Sequence, residues 1–160
     1  MARGKPAPDL ALQQAPRDVP ATGADYRLEE QIGFVLRCVH QRATEIFNAT
    51  MARHNVTPTQ FSVLAKLDDL GSVSQNQLGR LVAMDPATTS GVVGRLIARG
   101  FISQSPVPED ARLVLLALTP EGRRAVADMK ADAAEVSRRT LEPLTPEQAS
   151  QLLLALEKLR

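Results

Sequence analysis

The stretch that decides the fold runs from residue 74 to residue 118. It begins S-Q-N-Q-L-G-R-L-V-A-M-D-P-A-T-T-S-G-V-V-G-R-L-I-A-R-G-F-I-S-Q over residues 74–104. A polar turn P-V-P-E-D-A-R follows at 106–112, and L-V-L-L-A-L follows at 113–118. The first part has the periodicity of two short helices, and the second part has the pattern of a β-hairpin.

Capping signals place the starts of both helices. Ser74 stands three residues before Gln77, which predicts a capping box. Asp85 and Pro86 supply an N-cap and a proline at the first helical position, and Gly100 is suited to end that helix. The apolar positions predicted to be buried recur at helical spacing and are Leu78, Leu81, Val82, Val92, Val93, Leu96 and Ile97.

The other sides of the second helix carry small, hydroxylated or cationic residues. They are Ala87, Thr88, Thr89, Ser90, Gly91, Gly94 and Arg95. Such a surface can approach another molecule closely, and the helix N-terminus favours an anion such as phosphate. Arg112 stands near the tip of the hairpin. Two helices, a tight turn and a two-stranded wing form a winged helix-turn-helix, which predicts DNA binding. The alternative is a small α/β core with ordinary surface hydroxyls.

Length and composition limit the classes of protein. The 160 residues, 44% of them hydrophobic, are enough for one domain with an appended dimerisation layer. Aromatic residues make up 3% and tryptophan is absent, which argues against base stacking as a binding mode. The net charge of +1 argues neither for nor against nucleic acid, but the modest cationic face within residues 74–100 suits site-specific duplex binding better than non-specific coating.

Targeting signals are also lacking in the sequence. The single cysteine, Cys38, cannot form an intramolecular disulfide. The sequence has no apolar run of transmembrane length and no signal-peptide block. We therefore expect a cytoplasmic protein with no membrane partner.

The ends of the chain differ in character. Residues 1–24 are rich in proline and short of apolar residues, which predicts a flexible tail. An arm that touches DNA through Arg3, Lys5 and Arg17 is the alternative. Residues 25–160 then form the folded domain, in which a long helix from Tyr26 to His54 would span about 40 Å.

Further helices are predicted on both sides of the central stretch. Thr-Pro-x-Gln signals begin helices at 57–60 and 145–148, and Thr119-Pro120 begins another. The residues predicted to be buried in the first and last of these are Phe61, Leu64, Leu67, Leu70, Leu152, Leu153, Leu156 and Leu159. The predicted fold class is mainly α with a small β-hairpin wing. We predict that helices within 25–55 and 119–160 flank it and dimerise about a twofold axis.

From residue 26 to residue 160 the sequence resembles the MarR family of bacterial transcriptional regulators. The matching segments are T-P-T-Q-F-S-V-L (57–64), S-Q-N-Q-L-G-R-L (74–81), D-P-A-T-T-S-G-V-V-G-R-L-I-A-R-G-F-I (85–102), E-D-A-R (109–112) and L-A-L-T-P-E-G (116–122). Their order and spacing make the resemblance specific. It implies a homodimer that binds a pseudo-palindromic operator in double-stranded DNA, usually as a repressor.

The resemblance also implies which residues contact DNA. The recognition helix would run from Pro86 to Arg99 and enter a major groove about 34 Å from its twin. The expected contacts are Ser74, Gln75, Asn76, Pro86, Thr88, Thr89, Ser90, Arg95, Asp110 and Arg112. Arg112 would enter the minor groove, oriented by Asp110. Ala111 departs from the family pattern, in which many members carry a second arginine.

The family responds either to small aromatic ligands or to oxidants. The residues expected to bind an aryl carboxylate are Phe34, Arg37, His40, Gln41 and Phe61. The alternative is that the polar ones face water or pair with Asp68 or Asp69. Gly33 of this chain stands at the position where the organic-peroxide sensors of the family carry their reactive cysteine. Cys38 is therefore expected to be a small packed residue, and an oxidant-responsive regulator using Cys38 is the alternative.

Catalysis is not predicted. Cys38 and His40 are two positions apart on a helix and point to different sides, so they cannot form a nucleophile–base pair. His40 and His54 are too far apart to share a metal within one chain. The sequence has no phosphate loop, paired-carboxylate motif or metal-ligand spacing. We expect no catalytic residue, metal or cofactor; a winged-helix module that binds protein instead of DNA remains the other class.

Overall fold

A computed structural model describes residues 26–107 and 110–159. The helices and strands, in chain order, are α1 (Ile32–Thr50), α2 (Pro58–Leu70), β1 (Ser72–Ser74), α3 (Gln75–Leu81), α4 (Pro86–Ala98), β2 (Ile102–Val107), β3 (Asp110–Leu118), α5 (Pro120–Leu141) and α6 (Pro146–Glu157). The fold class predicted from the sequence, a mainly helical winged helix-turn-helix, is confirmed.

Side-chain caps begin the helices where the sequence predicted them. Thr57 and Thr145 each form a complete capping box with the glutamine three residues later. Ser74 accepts a hydrogen bond from the Gln77 amide at 3.4 Å, although Gln77 does not return one. Because each cap satisfies amides that have no partner inside the helix, these short elements start at defined residues.

The core lies within residues 39–160, which form one compact unit. Its buried side chains come from every element of the winged helix-turn-helix and are Phe47, Met51, Val56, Val63, Leu64, Leu67, Val73, Leu78, Val92, Val93, Leu96, Ile102, Leu116, Leu118, Val126 and Met129. The prediction that Leu152, Leu153 and Leu159 of the last helix are buried is wrong for the single chain, in which all three are exposed. Leu70 and Leu81 were also predicted to be buried, and this is wrong: their exposed fractions are 46% and 40%. Leu70 and Leu81 are each the last residue of a helix, where no further side chain packs over the apolar face.

The wing belongs to a three-stranded antiparallel sheet with the order β1-β3-β2. The sequence predicted a two-stranded hairpin, so β1 is an addition. Val73 of β1 pairs with Leu116, and both side chains are buried. The sheet thereby joins the start of α3 to the strand that returns from the wing.

The first helix is shorter than predicted. The segment expected to be one helix from Tyr26 to His54 contains a 3-10 turn at Leu28–Glu30, then α1, then a second 3-10 turn at Ala52–His54. Asn55 ends the second turn with φ at 52°, in the left-handed region that asparagine tolerates better than most residues. This reversal places α2 beside α4 and not in line with α1.

Hydrogen bonds of Arg53 and Arg99 connect the segment between α1 and α2 to other helices. Arg53 donates through Nε to Asp132 Oδ2 of α5 at 2.8 Å, and His54 Nε2 lies 2.8 Å from the same oxygen. Arg99, which follows α4, donates to the carbonyl oxygens of Asn55 at 2.7 Å and His54 at 3.2 Å. The α1–α2 connection is therefore tied to both the recognition helix and α5.

The contacts of Asp132 predict a pH-dependent stability. Hydrogen bonding to His54, and then to Arg53, lowers the pKa of the Asp132 carboxyl. A lowered pKa means that the stabilisation is complete above the ordinary carboxyl pKa of about 4 and is lost as the pH falls through the lowered value. We expect Asp132→Asn to have a lower melting temperature than wild type at pH 7, with the difference shrinking on acidification.

Asp128→Asn is the matched control for this prediction, because Asp128 is an exposed aspartate one turn earlier on the same helix. Thermal unfolding between about pH 7 and pH 3 measures both variants. A difference between Asp132→Asn and wild type that stays constant over that range would contradict the prediction.

Candidate nucleic-acid interface

The N-terminus of α4 is capped by an aspartate whose two oxygens are both occupied. Asp85 Oδ1 accepts from the Thr88 amide at 2.9 Å, and Oδ2 accepts from the Thr88 hydroxyl at 2.6 Å. These bonds lower the pKa of the Asp85 carboxyl. Thr88 is exposed with its hydroxyl proton committed to Asp85, so its oxygen faces outward mainly as an acceptor.

Thr89 is not on the outer face of α4, and the prediction that placed it there is wrong. Its exposed fraction is 1%, and its hydroxyl donates to the Asp85 carbonyl oxygen at 2.8 Å. Gly79 of α3 makes this packing possible, since a Cβ on Gly79 would lie 2.6 Å from Thr89 Oγ1. Thr89 therefore holds α3 against α4 and has no free donor to offer to DNA.

The surface of α4 that does face outward consists of small residues and one cation. The exposed positions from Thr88 onward are Thr88, Ser90, Gly91, Gly94, Arg95 and Ala98. The Arg95 side chain lies back over Gly91, where a Cβ would be 3.5 Å from a guanidinium nitrogen. Arg95 forms no ion pair with the part of the chain that is described, so its charge is available to an anion.

A crevice of about 310 Å³ lies between α3 and the start of α4. Its lining residues are Gln75, Asn76, Gly79, Arg80, Met84, Pro86 and Thr89. The structure thus brings the predicted residues of α3 and the start of α4 to one surface, next to the Ser74 cap. Arg80 is an exposed cation of this crevice that the sequence-based set omitted. The sequence could have identified Arg80, because it stands two residues after the buried Leu78 and therefore on the side of α3 away from the core.

The predicted wing contacts have a different status. Asp110 begins β3, but the side chains of Asp110 and Arg112 lie outside the described residues. Their roles stay predictions. The tail residues Arg3, Lys5 and Arg17 also lie outside the described residues.

The residues predicted to bind a ligand are distributed over α1 and α2. Arg37, His40 and Gln41 are exposed, and Gln41 donates to Glu45 at 3.4 Å. Phe34 and Phe61 are half-buried. The alternative pairing with Asp68 or Asp69 is wrong, because Asp68 accepts from Lys130 at 2.6 Å and Asp69 from Lys66 at 3.4 Å.

Cys38 is exposed, so the expectation that it is a packed residue is wrong for the single chain. Within residues 26–107 and 110–159, no group of three or more His, Cys, Asp or Glu side chains could hold a metal ion. None of the helices in that part of the chain is long and apolar enough to cross a membrane.

The two helices α3 and α4, the crevice between them and the wing that follows define a winged helix-turn-helix protein. The MarR family model matches residues 56–114. The HTH-type transcriptional repressor NicR of Pseudomonas putida is 33% identical over 94% of this chain and 95% of its own. The chain belongs to the MarR family of transcriptional regulators.

Solved structures give the same result. A probable transcriptional regulator from Pseudomonas aeruginosa is 42% identical, covers 84% of this chain and 100% of its own, and superposes with a TM-score of 0.81. BpsR of Bordetella bronchiseptica, whose DNA binding is regulated by 6-hydroxynicotinic acid, is 36% identical over 84% of this chain and 96% of its own, with a TM-score of 0.80. PcaV from Streptomyces coelicolor, solved with its natural ligand, is 26% identical over 84% of this chain and 94% of its own, with a TM-score of 0.78.

Proposed function

We propose that this protein is a homodimeric repressor that binds a pseudo-palindromic operator in the cytoplasm and is released by a small aryl carboxylate. The observation that carries the DNA-binding part is the outward surface of α4. This surface has small residues, an adjacent crevice, and Arg95, which has no ion pair within residues 26–107 and 110–159. Together they fit a major groove and its phosphates. The direct contacts on α3 and α4 would be Ser74, Gln75, Asn76, Pro86, Thr88, Ser90 and Arg95, with Arg80 added and Thr89 serving only to position α4. On the wing, Arg112 would enter the minor groove, oriented by Asp110.

The dimeric part rests on apolar side chains that the single chain leaves exposed. On α1 they are Ile32, Val35, Leu36 and Val39, and toward the C-terminus they are Leu152, Leu153, Leu154 and Leu159. Helices with contiguous exposed apolar residues are typical of protein–protein interfaces. A twofold dimer formed by these helices would cover them and would present two copies of α4 to one operator.

The experiment that tests the proposal is fluorescence anisotropy with DNA from upstream of the protein's own gene. A scrambled fragment and a second salt concentration serve as controls. We expect tight, salt-dependent binding that prefers the native fragment. Equal and weak binding to the native and scrambled fragments would favour a winged-helix module that binds protein instead.

Arg112→Ala is expected to weaken operator binding about threefold or more and to lower the salt slope by about one phosphate contact. The reason is the loss of one cation from the wing. Titration of the variant at several salt concentrations measures both quantities. An affinity equal to that of wild type at every salt concentration would contradict the role of Arg112.

The aryl carboxylate part rests on Arg37 and His40, whose exposed side chains can offer a positive charge and a hydrogen bond to an acid. The regulation of BpsR by 6-hydroxynicotinic acid supports this class of ligand. A coupling of about 1–3 kcal/mol would weaken operator binding about 5- to 150-fold.

His40→Ala is therefore expected to keep operator affinity and to lose release by 6-hydroxynicotinic acid. Anisotropy of the preformed complex, with increasing acid, measures the release. Full release from the variant would remove His40 from the site.

The oxidant-responsive alternative is tested in a parallel titration, in which hydrogen peroxide replaces the acid. Release by peroxide that Cys38→Ser abolishes would favour the oxidant-responsive alternative.

A further inference from the structure

The hydroxyl of Thr88 at the start of α4 has a fixed polarity. It donates to Asp85 Oδ2 at 2.6 Å, and the backbone amide of the same threonine donates to Oδ1 at 2.9 Å. Hydrogen bonding to the Thr88 hydroxyl, and then to its amide, lowers the pKa of the Asp85 carboxyl from its ordinary value of about 4. The carboxylate is therefore ionised at neutral pH and can only accept, so the proton in the shorter bond must come from Thr88.

Two further hydrogen bonds hold Asp85 in this position. Its carbonyl oxygen accepts from the Thr89 amide at 2.9 Å and from the Thr89 hydroxyl at 2.8 Å. Thr89 is itself buried and packs closely against Gly79 of α3, while Pro86 restricts the backbone that follows Asp85. Within residues 26–107 and 110–159, Asp85 forms no ion pair that would draw its carboxylate elsewhere. The Thr88 hydroxyl is therefore oriented before any DNA binds.

A hydroxyl oriented in this way can distinguish the edges of the bases. Thr88 is exposed, and its oxygen has a lone pair left but no proton to give. In the major groove, the amino groups of cytosine and adenine are donors, whereas guanine presents only the acceptors N7 and O6. An acceptor placed against another acceptor leaves both without a proton, which is unfavourable where water is excluded. The oxygen of Thr88 therefore suits cytosine or adenine and opposes guanine.

We propose that Thr88 determines the specificity of α4 at one base pair by accepting a hydrogen bond from the amino group of cytosine or adenine, and that Asp85 sets this polarity. The inference rests on the proposed function, in which α4 enters a major groove. Asp85 is then a positioning residue that acts through Thr88. Ser90, which is also exposed on α4, has no hydrogen-bond partner in the described part of the chain, so its hydroxyl can turn to donate or to accept.

Asp85→Asn is expected to reverse the preference for the base. Asparagine is about as good an N-cap as aspartate, so α4 should begin at the same residue. The side-chain oxygen of asparagine is needed by the Thr88 amide, which places Nδ2 where Oδ2 accepts from the Thr88 hydroxyl in wild type. Nδ2 then donates to that hydroxyl, and the Thr88 proton points outward. An outward donor pairs with guanine and not with the amino group of cytosine.

The test begins with the selection of bound duplexes from a pool of random sequence, by wild type and by Thr88→Val. Valine keeps the shape of threonine without its hydroxyl, so the base pair at which Thr88→Val loses its preference is the one that Thr88 contacts. Fluorescence anisotropy then compares two duplexes that differ only there, with C·G in one and G·C in the other. We expect wild type to prefer one of them about fivefold or more and Asp85→Asn to prefer the other by a similar factor. Removal of the Asp85 charge strengthens binding to both duplexes alike, so it does not change the ratio.

Two controls separate the effect of Thr88 from that of its neighbours. Adding Asp85→Asn to Thr88→Val is expected to leave the ratio of the two affinities unchanged, because the hydroxyl that carries the effect is gone. Ser90→Ala is the matched control variant, since it removes another exposed hydroxyl of the same helix. It is expected to keep both the wild-type ratio at this base pair and its reversal by Asp85→Asn. Thermal unfolding checks that every variant is folded.

Three results would overturn the proposal. They are a selected motif that Thr88→Val leaves unchanged, the same preferred duplex for Asp85→Asn as for wild type, and a reversal that persists when Thr88 is valine. Each of them leaves the proposed function intact, because wild type still selects a sequence. A wild-type protein that enriches no sequence from the pool would instead reject the proposed function, and the role of Thr88 with it.

Discussion

Replacing Gly122 by alanine is expected to destabilise the protein by about 3 kcal/mol, which corresponds to a loss of about 10 °C in melting temperature. Gly122 lies in the first turn of α5, directly against the backbone of Phe101. A Cβ at this position would lie 2.9 Å from the Phe101 carbonyl carbon and even closer to its oxygen.

Neither α5 nor the backbone of Phe101 can move away easily, because hydrogen bonds join them. The Phe101 carbonyl oxygen accepts from the Thr119 amide at 3.0 Å, and the Thr119 hydroxyl donates to the Gly100 carbonyl oxygen at 2.6 Å. The same threonine caps α5 by accepting from the Gly122 amide. A methyl group at residue 122 therefore separates α5 from the start of β2 and weakens the cap and both of these hydrogen bonds together.

Gly94→Ala is the control for this experiment. Gly94 lies inside α4 with nothing within 4 Å of its Cβ position. Alanine there restricts the unfolded chain and favours the helix, so we expect a gain of about 0.5–1 kcal/mol. Thermal or urea unfolding measures both variants. A Gly122→Ala protein as stable as wild type would show that α5 does not pack against Phe101 this closely.

Replacing Leu153 by aspartate is expected to convert the dimer to a monomer and to weaken operator binding about a hundredfold or more. The Leu153 side chain is 52% exposed on α6. In the proposed dimer it is buried in an apolar interface, where an unpaired carboxylate is costly. A monomer can occupy one half-site only and loses the gain from binding two half-sites at once.

Sedimentation equilibrium and operator anisotropy measure the two effects of Leu153→Asp. Leu70→Asp is the matched control, since Leu70 is 46% exposed but lies at the end of α2, outside the proposed interface. We expect this control to remain dimeric. If Leu153→Asp were also a dimer with full operator affinity, α6 would not form the interface.

The sequence predicted those features that depend on neighbouring residues. The caps at Thr57, Asp85, Thr119 and Thr145 begin helices at the residues expected, because an N-cap acts on amides two or three positions away. The apolar face of α4 was also correct, since its period can be counted along the chain.

Features that depend on distant residues were missed. β1 has three residues, too few for a recognisable pattern, and it exists because β3 pairs with it more than 40 positions later. Thr89 was placed on the outer face because its burial requires the absence of a side chain at Gly79, on another helix.

The pairing of β1 with β3 has a mechanical consequence. α3 and the strand leading back from the wing are hydrogen-bonded neighbours, so they move as one rigid body unless the ladder Ser72–Ser74 with Leu115–Ala117 breaks. The half-sites of an operator lie about 34 Å apart, and successive base pairs lie about 3.4 Å apart. A displacement of one recognition helix by one base-pair step is therefore a tenth of the distance between the half-sites. Because Gly79 and Thr89 also hold α4 against α3, a displacement of this size in the proposed dimer would withdraw α4 and the wing from their grooves together, so release at each half-site would be all-or-none.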